Sequence, residues 1–395
     1  MARYYANEPY TVISGYAGSG KSTIIKYIIS ALRIPQRQVA YIAYTGKAAN
    51  VLKQKGCPNA TTAHKLLYWA RPTPNGHFVF VPRTSLESDY KLIVVDEVSM
   101  LPKDMWELLL NHHVYILAAG DPGQLPPIDP SQDNHVLDKP HIFFDEIMRQ
   151  AQDSAIIRLS MHIREGKDFK DFASVSGEVR IVHSAKELCA NESDYKACLL
   201  GAGQILCATN KHREKLNQEV RQFQNRSDKP EVGDKVIGLT NHWDCFSNQM
   251  TALTNGAIGE IVDFGIKEER MPSRLQLPNV EIMHTDILMD DGDFFTDVPI
   301  DYKKLKDDEN SLTANQLFKL RRYIKNYRGM SSPPLEPYDF TYGYAITTWK
   351  AQGSEFENVL AFDATWLRKK DPEEYIKYLY TSVTRAQKRL ILVGD

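Results

Sequence analysis

The sequence predicts an α/β fold in which parallel sheets are covered by helices, interrupted in its second half by a small all-β insertion. Three observations carry this. Apolar strand runs alternate with helical patterns through the first 150 residues and again from Val179 onward. A glycine-rich turn, Gly15-Tyr16-Ala17-Gly18-Ser19-Gly20-Lys21-Ser22-Thr23, joins the first strand run to the first helical run. Past Pro230, short strands bounded by glycine replace the alternation.

The strand runs of the first part are Tyr10–Ser14, Gln38–Tyr44, Lys91–Asp96 and Val114–Gly120, and the helical runs are Ile24–Leu32, Thr45–Lys55 and Pro102–Asn111. Between Trp69 and Ser88 the pattern changes. Asn75-Gly76 flanked by alternating residues is the strongest local hairpin signal, so a small β-hairpin is expected to project here. The amphipathic run Ser154–Arg164 bridges to the second half, which restarts with strands Val179–His183 and Gln204–Ala208 and the helical run Lys211–Gln224. Val232–Gly238 and Gly256–Val262 read as strands of a small barrel, with Asn255-Gly256 and Trp243 fitting a hairpin on it. A charged helical stretch, Leu312–Tyr327, follows, and Ser331-Ser332-Pro333-Pro334 breaks it. The α/β pattern resumes at Tyr342–Thr347, Val359–Asp363 and Arg389–Val393, so the insertion interrupts the second α/β domain.

Composition sets the broad class. A chain of 395 residues with 43% hydrophobic and 25% charged content suits two to three globular domains. No apolar run is long enough to span a membrane, and the first ten residues lack a secretory h-region. Five scattered cysteines without a C-x-x-C pair point to reduced thiols rather than a zinc site or a disulfide framework. A net charge of −2 neither supports nor excludes a nucleic-acid partner, since an acidic average can hide a basic groove.

The glycine-rich turn has the form of a P-loop, and the chemistry explains its residues. Backbone N–H groups wrap a polyphosphate only where side chains do not block them, hence Gly15, Gly18 and Gly20, with Ala17, Ser19 and Thr23 completing the cradle. Lys21 offers a point charge to the β and γ phosphates, the Ser22 hydroxyl a ligand to Mg²⁺, and the following helix its N-terminal dipole. Leu92-Ile93-Val94-Val95-Asp96-Glu97 is an apolar strand tipped by two carboxylates. Asp96 is placed to hold Mg²⁺ through its water shell and Glu97 to take a proton from attacking water. Gly120-Asp121-Pro122-Gly123-Gln124 follows another strand and supports two readings. It is a tight turn, or it sets Gln124 beside the γ-phosphate at the carboxyl edge of the sheet.

The ordered set resembles superfamily 1 helicases, in the 5′-to-3′ branch (superfamily 1B) of RecD-like and bacteriophage Dda-type enzymes. The pieces are GYAGSGKST, AYTGKAA (Ala43–Ala49), TTAHKLL (Thr61–Leu67), VVDEVSM (Val94–Met100), GDPGQLPP, MRQ (Met148–Gln150), ITTWKAQGSEF (Ile346–Phe356) and YTSVTRAQKRLILVGD (Tyr380–Asp395). They run almost end to end. The resemblance implies two RecA-like P-loop NTPase domains. The first spans residues 1–150, with a strand-separating pin at about residues 69–88. The second spans 151–231 and 338–395, and its insertion at 232–337 is an SH3-like barrel with helical additions. ATP and Mg²⁺ are the implied cofactors. Gln124 becomes a γ-phosphate sensor, and Arg149 and Arg385 become arginines that reach the γ-phosphate from across the cleft, where a planar, always-charged guanidinium stabilises the transferring phosphoryl group. Gly353 and Glu355 match the motif that joins nucleotide to strand-binding surface. ATP binding then closes the two domains and hydrolysis opens them.

Single-stranded DNA contacts are expected from loops over both sheets, with Thr45, Lys47, Thr61, His64, Thr347, Thr348 and Lys350 as candidates, since hydroxyls and basic groups suit phosphate contacts without sequence information. Each threonine can equally bond its own backbone. Trp349, where relatives often carry His, stacks on a base or fills the interface between domains. Phe78 or Phe80 is the aromatic that replaces base stacking at a fork, or packs on a neighbouring domain. Lys319–Lys325 lines DNA or is a solvated helix face.

Two departures stand out. No glutamine occurs before Gln36, where relatives recognise adenine, so Tyr4 or Tyr5 is the alternative base contact and preference for ATP over other triphosphates is open. The sequence ends at Asp395, directly after the last core strand, and no extra C-terminal partner module is expected. The expected substrates are single-stranded DNA and forked or tailed duplex, in DNA replication, recombination or repair. A single-strand-binding protein or other replisome component is a candidate partner, and the motor is expected to be monomeric, away from membranes, in bacterial or phage-infected cytoplasm. A translocase that remodels protein–DNA complexes and a nucleotide-regulated binding switch are the competing readings.

Overall fold

The computed structural model describes residues 1–72, 78–127, 130–148, 153–248, 252–270, 280–306, 312–326 and 336–394. Two compact units emerge. The first comprises Met1–Tyr68, Pro82–Arg213 and Ile346–Asp395, and the second comprises Trp69–Val81 and Glu214–Ala345.

In the first unit, one sheet runs Ala60–Thr62, Val39–Ala43, Leu92–Val95, Tyr115–Gly120, Tyr10–Gly15 and Ile142–Phe144 from edge to edge. Its pairings are parallel. Such strands bury both faces, and their apolar runs divide accordingly. Val12, Ile42, Ile93, Val95 and Ile116 enter one core, while Ile13, Val39, Tyr41, Leu92, Val94 and Leu117 enter the other. Parallel register has a functional consequence. Ser14 pairs with Gly120, and Val95 with Ala118. The residues just past these strands (the P-loop, Asp96-Glu97 and Asp121–Gln124) therefore share the carboxyl edge of the sheet.

The second sheet of this unit runs Ala345–Thr347, Gln204–Cys207, Phe356–Phe362, Ala386–Val393 and Val179–Val182. Helix Pro372–Val383 is bonded to it by Tyr378, whose hydroxyl donates to the Phe362 carbonyl at 2.7 Å. The Asp371 side chain caps the helix by accepting from Glu373 and Glu374 N–H, and proline stands in its first turn, where a missing N–H costs nothing.

The second unit carries a sheet ordered Phe294–Asp301, Glu281–Met289, Ile258–Arg270, Lys235–Gly238 and Phe340–Tyr342. Its two edges meet at one bridge between Ile300 and Tyr338, with Tyr338 N–H donating to Pro299 O at 2.7 Å. Val236, Ile261, Ile287, Phe295, Val298, Ile300 and Phe340 fill its core. Arg221 holds the fully buried Asp234 with two bonds, at 3.0 and 3.1 Å, and Tyr344 adds a third at 2.8 Å. Such a pair needs all its partners to offset desolvation. The strands Tyr68–Pro72 and Phe78–Pro82 pair as the expected hairpin, which ends at Pro82 rather than Ser88, and its Asn75-Gly76 turn lies outside the described residues.

Several expectations are corrected. Tyr342–Thr347 is not one strand. Phe340–Tyr342 pairs with Lys235–Gly238, and Ala345–Thr347 joins the second parallel sheet. Gly343 permits the change of sheet, because a Cβ there would lie 3.0 Å from the Val236 carbonyl carbon. Asn217 fixes it, donating to the Tyr342 and Ala345 carbonyls and accepting from Ala345 N–H. The division between the two compact units falls after Arg213 and Ala345. The strand expected at Gly256–Val262 extends from Ile258 to Arg270, bulged twice against Glu281–Met289.

Candidate functional site

The P-loop leaves strand Tyr10–Gly15 and enters helix Lys21–Leu32. Gly18 and Gly20 hold φ of 76° and 86°, a region open to glycine at little cost. A Cβ on Gly15 would lie 2.8 Å from both Phe144 Cβ and Ser19 Oγ. Lys21 Nζ reaches back to the carbonyls of Gly15 at 2.6 Å and Tyr16 at 2.9 Å. Ser22 and Thr23 are exposed at the helix start.

Asp96 and Glu97 project from the neighbouring strand tip. Burial, then the Glu97 charge, pushes the Asp96 carboxyl up to about 6, with Lys55 and Lys21 pulling the other way. Glu97 has left-handed backbone, φ 52 and ψ 53, an uncommon conformation for a side chain of this kind and one that gathers at functional sites. Gln124 is buried, and its Nε2 approaches Glu97 Oε1 at 3.4 Å. Ser19 Oγ, Glu97 Oε2 and Gln124 Oε1 are buried polar atoms with no partner among the described residues. Such atoms are costly unless something else bonds them. A polyphosphate with its bound water and cation offers both donors and acceptors.

The Gln124 loop is tied to the other sheet. Leu125 N–H donates to Thr381 Oγ1 at 3.0 Å, and the Leu125 carbonyl accepts from Gln352 Nε2 at 2.6 Å. Tyr380 accepts from Ala17 N–H and donates to Asp121 Oδ2, both at 2.8 Å. Arg164 lays its guanidinium 3.6 Å from the Tyr16 ring centroid, with Nη1 buried and without a hydrogen-bond partner among the described residues. None of Tyr380, Thr381, Gln352, Asp121 and Arg164 was assigned a role from sequence. The signal was present only as proximity to motif residues.

Arg385 is buried, donating to the Thr381 and Ser354 carbonyls at 3.2 Å each and to Thr384 Oγ1 at 3.3 Å. Its guanidinium is thus held by groups of its own half of the unit. Arg149 lies outside the described residues. Gly353, at φ 70, packs against the first half, since a Cβ there would lie 3.1 Å from Ala48 Cβ. Glu355 is exposed and accepts from Gln387 at 2.8 Å.

The proposed strand contacts divide. Thr45 caps helix Gly46–Gln54 by accepting from Ala48 N–H at 3.2 Å. Lys47 Nζ lies 4.3 Å from the Phe356 ring centroid. Thr61 is the half-buried middle residue of the short strand Ala60–Thr62, and His64 sits between the rings of Tyr44 and Tyr68, each 5.9 Å away, its pKa lowered by burial. Thr347 and Trp349 are half-buried, the indole tilted 5.7 Å from Tyr378, and burial lowers the Lys350 pKa. Thr348 is a correction. It is fully buried, its hydroxyl 2.9 Å from Ser382 Oγ, so it ties loop to helix instead of facing a strand. Phe80 is 37% exposed on its hairpin strand, and Phe78 occupies the same strand. Of the alternative base contacts, Tyr4 packs edge-on to Tyr115, and Tyr5 is exposed.

Comparison with known proteins agrees with this layout. Residues 1–184 match the AAA domain family, and residues 342–393 match the UvrD-like helicase C-terminal domain. The ATP-dependent RecD2 DNA helicase of Deinococcus radiodurans is 32% identical over 162 residues, covering 40% of this chain and 22% of the relative. The ATP-dependent DNA helicase Dda of Enterobacteria phage T4 is 24% identical over 247 residues, 58% of this chain and 55% of the relative. The chain thus spans about a fifth of the length of one relative and about half of the other. In fold, it is similar to a solved structure of Pif1 helicases at forked double-stranded DNA, with a TM-score of 0.53 at 16% identity over 98% of this chain and 88% of that one. The two matched modules follow one another in the order read from the motifs, and together with the helicase relatives they support the resemblance to superfamily 1B helicases.

Proposed function

We propose that the protein hydrolyses ATP at the carboxyl edge of its first sheet and uses the cycle to move 5′ to 3′ along single-stranded DNA, opening duplex ahead of it. The two halves of the first unit are read as RecA-like domains, the Trp69–Val81 hairpin as the pin, and the second unit as an accessory barrel. One observation carries the coupling. The loop holding buried Gln124 touches Glu97 on one side, while Thr381 and Gln352 hold its next residue on the other. Loss of the terminal phosphate would then move a loop bonded to the segment Thr347–Gln352, where strand contacts are expected.

Each residue has a part. Lys21 exchanges its loop carbonyls for phosphate oxygens. Ser22 and Asp96 would hold Mg²⁺, which when bound neutralises phosphate charge and orients the oxygens. Glu97 accepts the proton of the attacking water, and Gln124 orients that water. Arg385, released from the Thr381 and Ser354 carbonyls, and Arg149 bring guanidinium charge to the transferring phosphoryl group. RecD2 and Dda are DNA helicases, and the Pif1 structure concerns forked duplex DNA, which supports single strands and forks as substrates. Steady-state hydrolysis is to be measured alone, with single-stranded DNA and with duplex DNA, using Glu97→Gln as control. Strong stimulation by single strands, lost in the variant, is expected, followed by unwinding of 5′-tailed but not 3′-tailed forks. Hydrolysis indifferent to any strand would overturn the motor.

A further inference from the structure

Tyr380 brings a hydroxyl from the second half of the unit to the P-loop. A phenol has one donor and accepts through its lone pairs. Here it accepts from Ala17 N–H and gives its proton to Asp121 Oδ2, each at 2.8 Å. Asp121 is itself fixed, its other oxygen accepting from Gly123 N–H at 2.9 Å. The ring fills the space that Gly123 leaves open, since a Cβ there would lie 3.0 Å from Tyr380 Cε1. Burial and the Asp121 charge keep the phenol protonated, well above its ordinary range.

The neighbours strengthen the pattern. Thr381 bonds Leu125, the residue after Gln124, and Arg164 lies over the Tyr16 ring beside Ala17. Helix Pro372–Val383 thus holds two of the three segments at the carboxyl edge of the first sheet, the P-loop and the Asp121–Leu125 loop. Packing alone would need only the ring. The hydroxyl is spent on two groups of the nucleotide edge, one of them an amide of the loop whose N–H groups cradle phosphate.

We propose that Tyr380 is a positioning residue of the hydrolytic cycle: its hydroxyl ties the Ala17 amide to Asp121, so that a phosphate settling into the P-loop shifts helix Pro372–Val383. This rests on the nucleotide reading above. Wild type, Tyr380→Phe and Asp121→Asn are to be compared in two ways. The first is hydrolysis at saturating oligo(dT). The second is amide hydrogen exchange with and without the non-hydrolysable ATP analogue adenylyl-imidodiphosphate.

Phenylalanine keeps the ring and loses only the hydroxyl. The expected result is a fall in kcat of about tenfold with KM within about threefold. Unfolding midpoints stay within a few degrees. In wild type the analogue changes exchange in both the P-loop and helix Pro372–Val383, and in both variants in the P-loop alone. A helix that still responds in Tyr380→Phe, or a kcat within about twofold of wild type, overturns the proposal. So does a loss of kcat in Tyr380→Phe that follows a lowered midpoint and is absent from a folded Asp121→Asn. The exchange measurement needs no turnover. A wild-type chain that binds the analogue without strand-stimulated hydrolysis counts against the motor, and the helix response still decides the role of Tyr380.

Discussion

Replacing Glu97 tests the site where its backbone is most strained. Its left-handed conformation, φ 52 and ψ 53, costs a non-glycine residue about 1–2 kcal/mol. Glycine removes that cost and returns about 0.5–1 kcal/mol through the greater entropy of its unfolded chain. The substitution also removes a buried, unpartnered oxygen and a charge that raises the Asp96 pKa. These terms leave Glu97→Gly within about 1 kcal/mol of wild type, or above it. Turnover has no such compensation, because loss of a general base costs about 10²–10⁴-fold. Glu97→Gln keeps the strain and the shape and loses the same turnover. Thermal unfolding, phosphate release with oligo(dT) and titration with a fluorescent ATP analogue are to be run on all three proteins. The expected pattern is a glycine variant that melts at or near the wild-type midpoint, two variants at least about a hundredfold slower, and nucleotide binding retained throughout. A glycine variant destabilised by more than about 2 kcal/mol would refute the strain argument. Either variant turning over within about threefold of wild type would remove Glu97 from the role of base.

Three further outcomes are expected. Gly15→Ala forces a Cβ to 2.8 Å from Phe144 Cβ and Ser19 Oγ, so the loop or the edge strand must shift. Fluorescent-nucleotide affinity should fall at least about tenfold, or about 1.4 kcal/mol. Asp96 is held neutral up to about 6 by burial and the Glu97 charge. Hydrolysis at low Mg²⁺ should therefore rise with pH through that value as the carboxylate forms. Because metal competes with the proton, raising Mg²⁺ should move this limb to lower pH, and a limb indifferent to Mg²⁺ would contradict the ligand role. Thr348→Val loses the bond to Ser382 while filling the same volume. It should cost about 1 kcal/mol in thermal unfolding and leave oligo(dT) affinity within about twofold. The reverse pattern would return Thr348 to the strand surface.

Much of the nucleotide edge was legible because its signals are contiguous. An apolar run ending in Gly15 or in Asp96-Glu97 announces a buried strand and the chemistry at its tip within a dozen residues. The hairpin strands around Asn75-Gly76 were legible for the same reason. Thr348 was misread because a hydroxyl in a motif loop looks alike whether it faces solvent or a buried Ser382. The break at Gly343 was hidden inside an apolar run that continues from one sheet into the next. Tyr380, Thr381 and Gln352 stand inside quoted motifs, but their roles were not legible there, since their partners lie 363, 256 and 227 residues away in the chain.

The sequence by itself determined the strand–loop–helix that would cradle phosphate, the paired carboxylates beside it, and the order of motifs that defines the family. These depend on residue type and short spacing, which a strand or turn converts directly into position. Only the tertiary structure decided which side chains bind one half of the unit to the other, where Arg385 rests, and that Glu97 is held in a left-handed backbone. Those outcomes depend on which distant elements a sheet brings to one edge, and no local periodicity encodes that choice.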